Sequence, residues 1–313
     1  MAQYTSLTRH EIETISTSYS IINISSFEVL SGGSENTNYL INAENGKYVL
    51  SICEQKTEEK ARDLAHLLEH LDKHHFKTSK IIRTRDNEPL TLWKGKPILL
   101  KKFVEGKILK DIPLHLIELT GRELGKLHKI EAPEYLPVQL YYGKEQFVNV
   151  EKYAANSSFD IWLRQKLEYV SPYFTSNLPK ALIHSDVFSD NVIVSEDESS
   201  VVIVDFEESA CYYRIFDIGM MIIGICGEGK TVNFEKARYI LKGYCQEIQL
   251  LDIELNALQA FTVYAGAAMT FWRHLNFNYT KPDSKLSNHY LGLKVLTDYI
   301  EEQPADCFQK LVK

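Results

Sequence analysis

Three side chains with hard oxygen atoms stand close together in the sequence: Asp186, Asn191 five residues later, and Asp205 at the far end of an apolar run. A carboxylate and a carboxamide suit Mg²⁺, which takes oxygen ligands and keeps waters and substrate phosphates in its remaining positions. A further carboxylate can accept or orient the proton of an attacking hydroxyl. Together these residue types fit phosphoryl transfer, where catalysis is mostly positioning and charge neutralisation. On that reading Asn191 and Asp205 are the metal ligands and Asp186 is the catalytic base. The competing reading makes the same Asp and Asn ordinary turn formers.

The flanking residues show how the three could be positioned. Val192–Val194 and Val201–Val204 are β-branched runs on either side of the polar link Ser195–Ser200. Such runs favour the pleat, and Ser, Asp and Glu favour the turn, so the stretch predicts a β-hairpin. Antiparallel pairing then brings its two outer ends, Asn191 and Asp205, to the same place. His184, just before Asp186, reads as a brace for the loop and not as a substrate contact.

Composition narrows the classes. The 313 residues are 44% hydrophobic and 25% charged, an ordinary soluble globular mix with room for two lobes. A net charge of −7 argues against nucleic acid as a partner, and an anionic cofactor such as ATP would need local basic help. The five cysteines are scattered without a C-x-x-C pair, which fits a reducing compartment. No basic segment followed by an apolar run opens the chain, and the longest apolar stretch, Ile215–Cys226, is too short to span a bilayer. A cytoplasmic protein without a membrane partner is expected; the sequence does not specify an oligomeric state.

In chain order, residues 1–20 have weak helical spacing and read as an ordinary leading helix. A strand at Phe27–Ser31 runs into Gly32-Gly33-Ser34-Glu35-Asn36-Thr37-Asn38, followed by strands at Tyr39–Asn42 and Tyr48–Cys53. Residues 32–38 read either as a plain glycine turn or as a lid whose amides and small side chains (Gly32, Gly33, Ser34, Asn36, Thr37, Asn38) cover phosphates. Thr57–His75 predicts a helix capped by Thr57, with Glu58 and Glu59 in the positive first turn. Further strands are expected at Ile81–Arg83, Leu90–Trp93 and Pro97–Val104. Beyond them the pattern is helical: Leu114–Ile130, Phe159–Val170, Phe216–Ile225, Phe234–Gln249, Ile253–Leu275 and His289–Gln303. The natural boundary separates residues 1–104 from residues 105–313.

The chain resembles the homoserine kinases of the protein-kinase-like type, within the wider aminoglycoside phosphotransferase and choline kinase group. Gly33-Ser34-Glu35-Asn36-Thr37-Asn38-Tyr39, Gly121-Arg122-Glu123-Leu124-Gly125-Lys126-Leu127-His128 and His184-Ser185-Asp186-Val187-Phe188-Ser189-Asp190-Asn191 carry the likeness, with Asp205-Phe206 and Phe216-Asp217-Ile218-Gly219. The resemblance implies an α+β, bilobed protein-kinase-like fold. Its small N-terminal lobe would be a β-sheet with one helix that clamps the nucleotide, and its larger C-terminal lobe would be mainly helical, catalytic and acceptor-binding. It implies ATP and Mg²⁺, Asp186 as base, Asn191 and Asp205 on the metal, and a hinge at Lys101–Val104 (with Phe103) whose backbone meets adenine. Asp217 would hydrogen-bond the catalytic-loop backbone.

Two positions depart from that pattern. Kinases commonly place a lysine on the third strand to hold the α- and β-phosphates. Ser51 stands there, leaving Mg²⁺, loop amides or another base such as Lys47 or Lys56. Asp205-Phe206 is followed by Glu207-Glu208, where aromatic and small residues are usual in the homoserine kinases. For the small-molecule hydroxyl acceptor, Glu207, Glu208, Tyr212, Trp272 and Arg273 are candidates. Aromatic rings with carboxylates suit an amine, and Arg273 or Arg214 suits a carboxylate. The expected activity is transfer of the γ-phosphoryl group to an amino alcohol, first L-homoserine. Choline, ethanolamine or an aminoglycoside are alternative acceptors, and a nucleotide-binding pseudokinase is the alternative from another class.

Overall fold

The computed structural model describes residues 5–30, 36–175 and 177–312. The chain divides into two compact units, one up to Glu105 and one from Gly106 onward.

The first unit is built on a five-stranded antiparallel sheet of order β1-β2-β3-β5-β4. Its strands are β1 (Ile24–Val29), β2 (Asn36–Ala43), β3 (Gly46–Cys53), β4 (Thr91–Trp93) and β5 (Lys96–Lys102). The β2–β3 turn is made at Asn45-Gly46, where Gly46 takes φ 134°, a conformation nearly closed to other residues. Alternation along the strands sends Tyr39, Ile41, Tyr48, Leu50, Ile52, Ile98 and Leu100 to one face. Helix α1 (Arg9–Thr17) supplies Ile12 and Ile15 to the same core. Its start is fixed reciprocally: the Glu11 amide donates to the Thr8 hydroxyl, and the Thr8 amide donates to Glu11 Oε2 at 2.8 Å. Helix α2 (Glu58–Lys73) begins at the Thr57 cap and packs against β5. This unit therefore carries two helices and not the single one the resemblance implies, the first of them in the leading segment, whose spacing predicts a helix. Of the strand expected at Ile81–Arg83, only a bridge between Ile81 and Lys101 forms, and Arg83 sets its guanidinium on the Glu69 carboxylate at 2.6 and 2.7 Å.

The second unit is mainly helical. It contains α3 (Leu114–Leu127), the one-turn helices α4 (Lys144–Phe147) and α5 (Glu151–Ala154), α6 (Ser158–Val170), α7 (Arg214–Ile225), α8 (Phe234–Tyr244), α9 (Asp252–Leu275) and α10 (His289–Glu302). Helix α9 is almost wholly buried and is packed by α6, α7 and α10. Helices α3 and α8 meet through glycine: a methyl group at Gly121 would strike the Ile240 carbonyl, and one at Gly243 the Glu118 carbonyl. Two small sheets complete the unit. The hairpin β8 (Val192–Val194) and β9 (Val201–Ile203) forms as the valine runs predict, flanked by β6 (Lys107–Ile108). The pair β7 (Lys180–Ile183) and β10 (Ala210–Tyr213) was not read from the sequence. No described helix is long and apolar enough to cross a membrane.

Candidate active site

Residues 184–191 join β7 to the hairpin, and their backbone is held from several sides. Asp217, fully buried near the start of α7, accepts the His184 amide on Oδ2 at 2.7 Å and the Ser185 amide on Oδ1 at 2.6 Å. His128, the C-cap of α3, lies with Nε2 3.1 Å from the same carboxylate and Nδ1 2.8 Å from the Tyr244 hydroxyl. The close approach of α3 to α8 thus sets the depth at which His128 meets Asp217. Ser185 takes φ 69°, a left-handed conformation that costs a non-glycine residue about 1–3 kcal/mol. Its surroundings enforce it. Besides the bond to Asp217, the Ser185 hydroxyl donates to the Glu208 carbonyl at 2.6 Å, and the Tyr142 phenol donates to the Ser185 carbonyl.

His184 is buried and works inside the loop. The Asp186 amide donates to Nδ1 at 3.2 Å, which leaves the proton on Nε2, and Nε2 donates to the Val204 carbonyl at 2.9 Å. Burial holds its pKa below the ordinary imidazole value, so the ring stays neutral and keeps this one tautomer. The loop before the hairpin is thereby tied to the strand end after it. Phe206 adds an edge-on ring contact with His184, centroids 4.6 Å apart.

The hairpin register places Val192 opposite Ile203, and the Val204 amide continues the ladder by donating to the Asn191 carbonyl at 3.0 Å. The next residue is Asp205, exposed, with φ 72°. Asn191 points its amide nitrogen back at Asp186, donating to the backbone carbonyl at 2.8 Å and to Oδ2 at 3.1 Å. Its carboxamide oxygen, the end a cation would use, has no protein hydrogen-bond partner among the described residues. Oxygen donors of this kind at the end of one hairpin fit a hard divalent ion that keeps waters and phosphates as its other ligands. Among the described residues no three His, Cys, Asp or Glu side chains gather as a closed metal cage.

The acceptor candidates separate. Arg273, near the C-terminal end of α9, lies with its guanidinium carbon 5.7 Å from the centre of the Phe188 ring, on the same loop as Asp186. Trp272 meets Phe277 edge-on. Glu207 and Glu208 are half-buried, the second with its carbonyl on Ser185. Tyr212 is only 3% exposed: it lies in an aromatic core with Tyr213 and Phe216, its hydroxyl 3.3 Å from that of Tyr264. Arg214 is corrected as a carboxylate reader, because Nε and Nη2 both lie 2.7 Å from the buried Glu254 carboxylate. Glu254 is forty residues away, too far for any local pattern to pair the two.

In the first unit, Gly32, Gly33 and Ser34 lie outside the described residues. Asn36 and Asn38 pair with Cys53 and Ser51 on β3, so they share a face with Ser51. Both the Ser51 hydroxyl and the Asn38 Oδ1 are buried without a protein hydrogen-bond partner among the described residues. Thr37 faces the other way: its hydroxyl donates to Glu54 Oε1 at 2.7 Å and accepts the Thr5 amide at 3.2 Å. Lys47 does not replace the missing strand lysine. It stands four residues from Ser51, about 13 Å along a strand, and pairs with Glu105 at 3.0 Å. Within the expected hinge, Lys101 is interior to β5, paired with Val49 and bridged to Ile81. The Phe103 amide is given to the Lys47 carbonyl at 3.1 Å. Val104 makes no backbone hydrogen bond among the described residues, so the free amide of this stretch is its own.

Comparison with known proteins decides the class. Residues 26–242 match the model of the phosphotransferase enzyme family, well over half the chain. The chain belongs to that family. A homoserine kinase of Paramagnetospirillum magneticum is 30% identical to this phosphotransferase over 285 residues, covering 87% of this chain and 86% of that one. One from Zymomonas mobilis is 24% identical over 99% of this chain and 96% of its own length. Among solved structures, a microcompartment-associated aminopropanol kinase superposes with TM-score 0.75 at 14% identity, covering 96% of this chain and 98% of its own. Spectinomycin phosphotransferase APH(9)-Ia, in complex with ADP and spectinomycin, gives 0.66 at 15%, with 98% of each chain covered. The phosphotransferase therefore has the bilobed α+β kinase-like fold and transfers a phosphoryl group to an alcohol of a small molecule.

Tyr142 and His128 were not given roles by the sequence. Tyr142 stands 43 residues before the carbonyl it holds, and nothing local marks it. His128 closes one of the matching motifs, and only the fold shows that the motif ends on Asp217.

Proposed function

We propose that this protein is an ATP-dependent kinase that uses Mg²⁺ and phosphorylates the side-chain hydroxyl of L-homoserine. The observation that carries the reading is the Asp186–Asn191 hydrogen bond at one end of a hairpin whose other end is Asp205. The homoserine kinases at 24–30% identity over most of the chain support this acceptor.

Residues 1–104 hold the nucleotide. The Val104 amide would meet the adenine edge, and the Asn36 and Asn38 side chains, which share a face with Ser51, would serve the phosphates. Residues 105–313 supply the chemistry. Asn191, through its carboxamide oxygen, and Asp205 hold Mg²⁺, which when bound neutralises phosphate charge. Asp186 takes the proton of the attacking hydroxyl, and its carboxylate is aimed by the Asn191 amide. His184 remains neutral and holds the loop to the hairpin without exchanging protons.

The test is turnover with ATP and Mg²⁺ against a panel containing L-homoserine, choline, ethanolamine, 3-aminopropanol and an aminoglycoside. L-homoserine should give the largest acceptor-dependent ADP release, with phosphate on the side-chain oxygen. Absence of acceptor-dependent ADP across the panel would overturn the reading.

A further inference from the structure

Among the described arginines that are not fully exposed, Arg62, Arg83 and Arg214 are each matched to at least one carboxylate at 2.6 to 3.0 Å. Arg273 is half-buried and has no carboxylate within ion-pair distance among the described residues. A guanidinium held partly out of water without an anion is expensive, and proteins rarely keep one without a use.

Its position is specific. Arg273 lies against the ring of Phe188 on the loop that carries Asp186, with Nη1 3.4 Å from Nε2 of His289 at the start of α10. Helix α9 widens into a π-helical turn, Asn276–Thr280, immediately afterwards. That turn brings Phe277 edge-on to Trp272 and against the His289 ring, centroids 5.6 and 5.9 Å apart. The guanidinium is therefore oriented by rings and a ring nitrogen, none of which uses up its charge. The remaining N–H groups keep the forked geometry that matches a carboxylate with two parallel bonds. The carboxylates of Asp186 and Asp190 act on it electrostatically from beyond contact distance, which places it in the field of the base without closing an ion pair.

We infer that Arg273 recognises the carboxylate of the acceptor, so the site takes a hydroxyl-bearing amino acid and discriminates against the amino alcohol that lacks the carboxylate. The inference rests on the kinase reading above and names the residue that selects within it.

The experiment compares kcat/KM for L-homoserine and for its decarboxylated counterpart, 3-aminopropanol, in wild type, Arg273→Ala and Arg273→Lys. Wild type should prefer L-homoserine. In Arg273→Ala that preference should fall on the order of 100-fold, chiefly through KM for L-homoserine, as expected when a charged two-point contact is lost. Arg273→Lys should recover only part, because an ammonium cannot engage both oxygens in the same fork. An unchanged preference in Arg273→Ala, or wild-type turnover of 3-aminopropanol as fast as L-homoserine, overturns the inference while the kinase reading stands. Turnover of no acceptor in the panel brings down the kinase reading itself.

Discussion

Asp186 is the residue on which the proposed chemistry turns, and everything touching it is arranged to hold it still. Asn191 approaches one oxygen of its carboxylate, and His184 accepts its amide. Replacing Asp186 by Asn keeps the shape and removes the base. The expected outcome is a fall in kcat of about 10²–10⁴ with ATP binding retained, read by turnover alongside nucleotide-induced thermal stabilisation. Full activity in Asp186→Asn would assign the proton to another group. Asp217 makes a different kind of prediction, because it acts only through the loop. Asp217→Asn puts an amide donor against two backbone amides, so one is left without an acceptor at a cost of about 1–3 kcal/mol. Chemical denaturation should show that loss, with a lowered kcat accompanying it. At this scale the hold of Asp217 on the loop backbone was legible, from the resemblance, while the roles read for Asp186, Asn191 and Asp205 from type and spacing remain proposals. Tyr142, His128 and the Arg214–Glu254 pair were not legible, because each acts on a partner brought close only by the fold.

The elements explain why the residues are where they are. The hairpin was readable because β-branched runs and a polar link are local signals, and its register puts Asn191 and Asp205 at the same open end. The β7–β10 pair was not readable. Its strands are short and nearly thirty residues apart, and only packing against α7 selects them. Helix α3 shows how a motif can be visible while its reason is hidden. Gly121 could be quoted from the sequence, yet what it does is admit the Ile240 carbonyl of α8. Gly121→Ala should therefore destabilise the protein by about 1–3 kcal/mol, measured by denaturant unfolding. Since α3 also delivers His128 to Asp217, activity should fall further than the unfolded fraction explains. The Arg214–Glu254 pair joins α7 to α9 in the interior. Arg214→Met strands a buried carboxylate and should cost about 3–5 kcal/mol, whereas adding Glu254→Leu should restore much of it. A double variant no more stable than Arg214→Met would mean that the charge is not what matters there.

For the molecule as a whole, acid sets a limit through His274. This ring is 6% exposed and stacked on Phe159 with centroids 3.7 Å apart, and burial pushes its pKa from 6.5 down to about 4. Below pH 6.5 the unfolded chain binds a proton there that the folded chain refuses. Stability should thus be fully present above 6.5 and decline as pH falls toward 4, by up to about 3 kcal/mol from this group. Replacing His274 by Phe removes the titration, and its unfolding free energy should vary less with pH across that interval; an identical slope would place the acid sensitivity elsewhere. That a sheet-based N-terminal part gives way to a mostly helical remainder was legible, because strand-length runs and turn residues are followed by long segments of helical spacing. The inward position of Tyr212 and the occupied amide of Phe103 were not, since both depend on which neighbour reaches a group first.

The buried hydroxyl of Ser51 has a practical consequence. In kinases the third-strand lysine puts an amine beside the phosphates, which an acylating nucleotide analogue could label. Here that strand position offers a buried alcohol, and Lys47, about 13 Å away along the same strand, is paired with Glu105. Profiling that depends on labelling that position would pass over this enzyme, so its presence in a cell extract is better followed by the phosphorylated product.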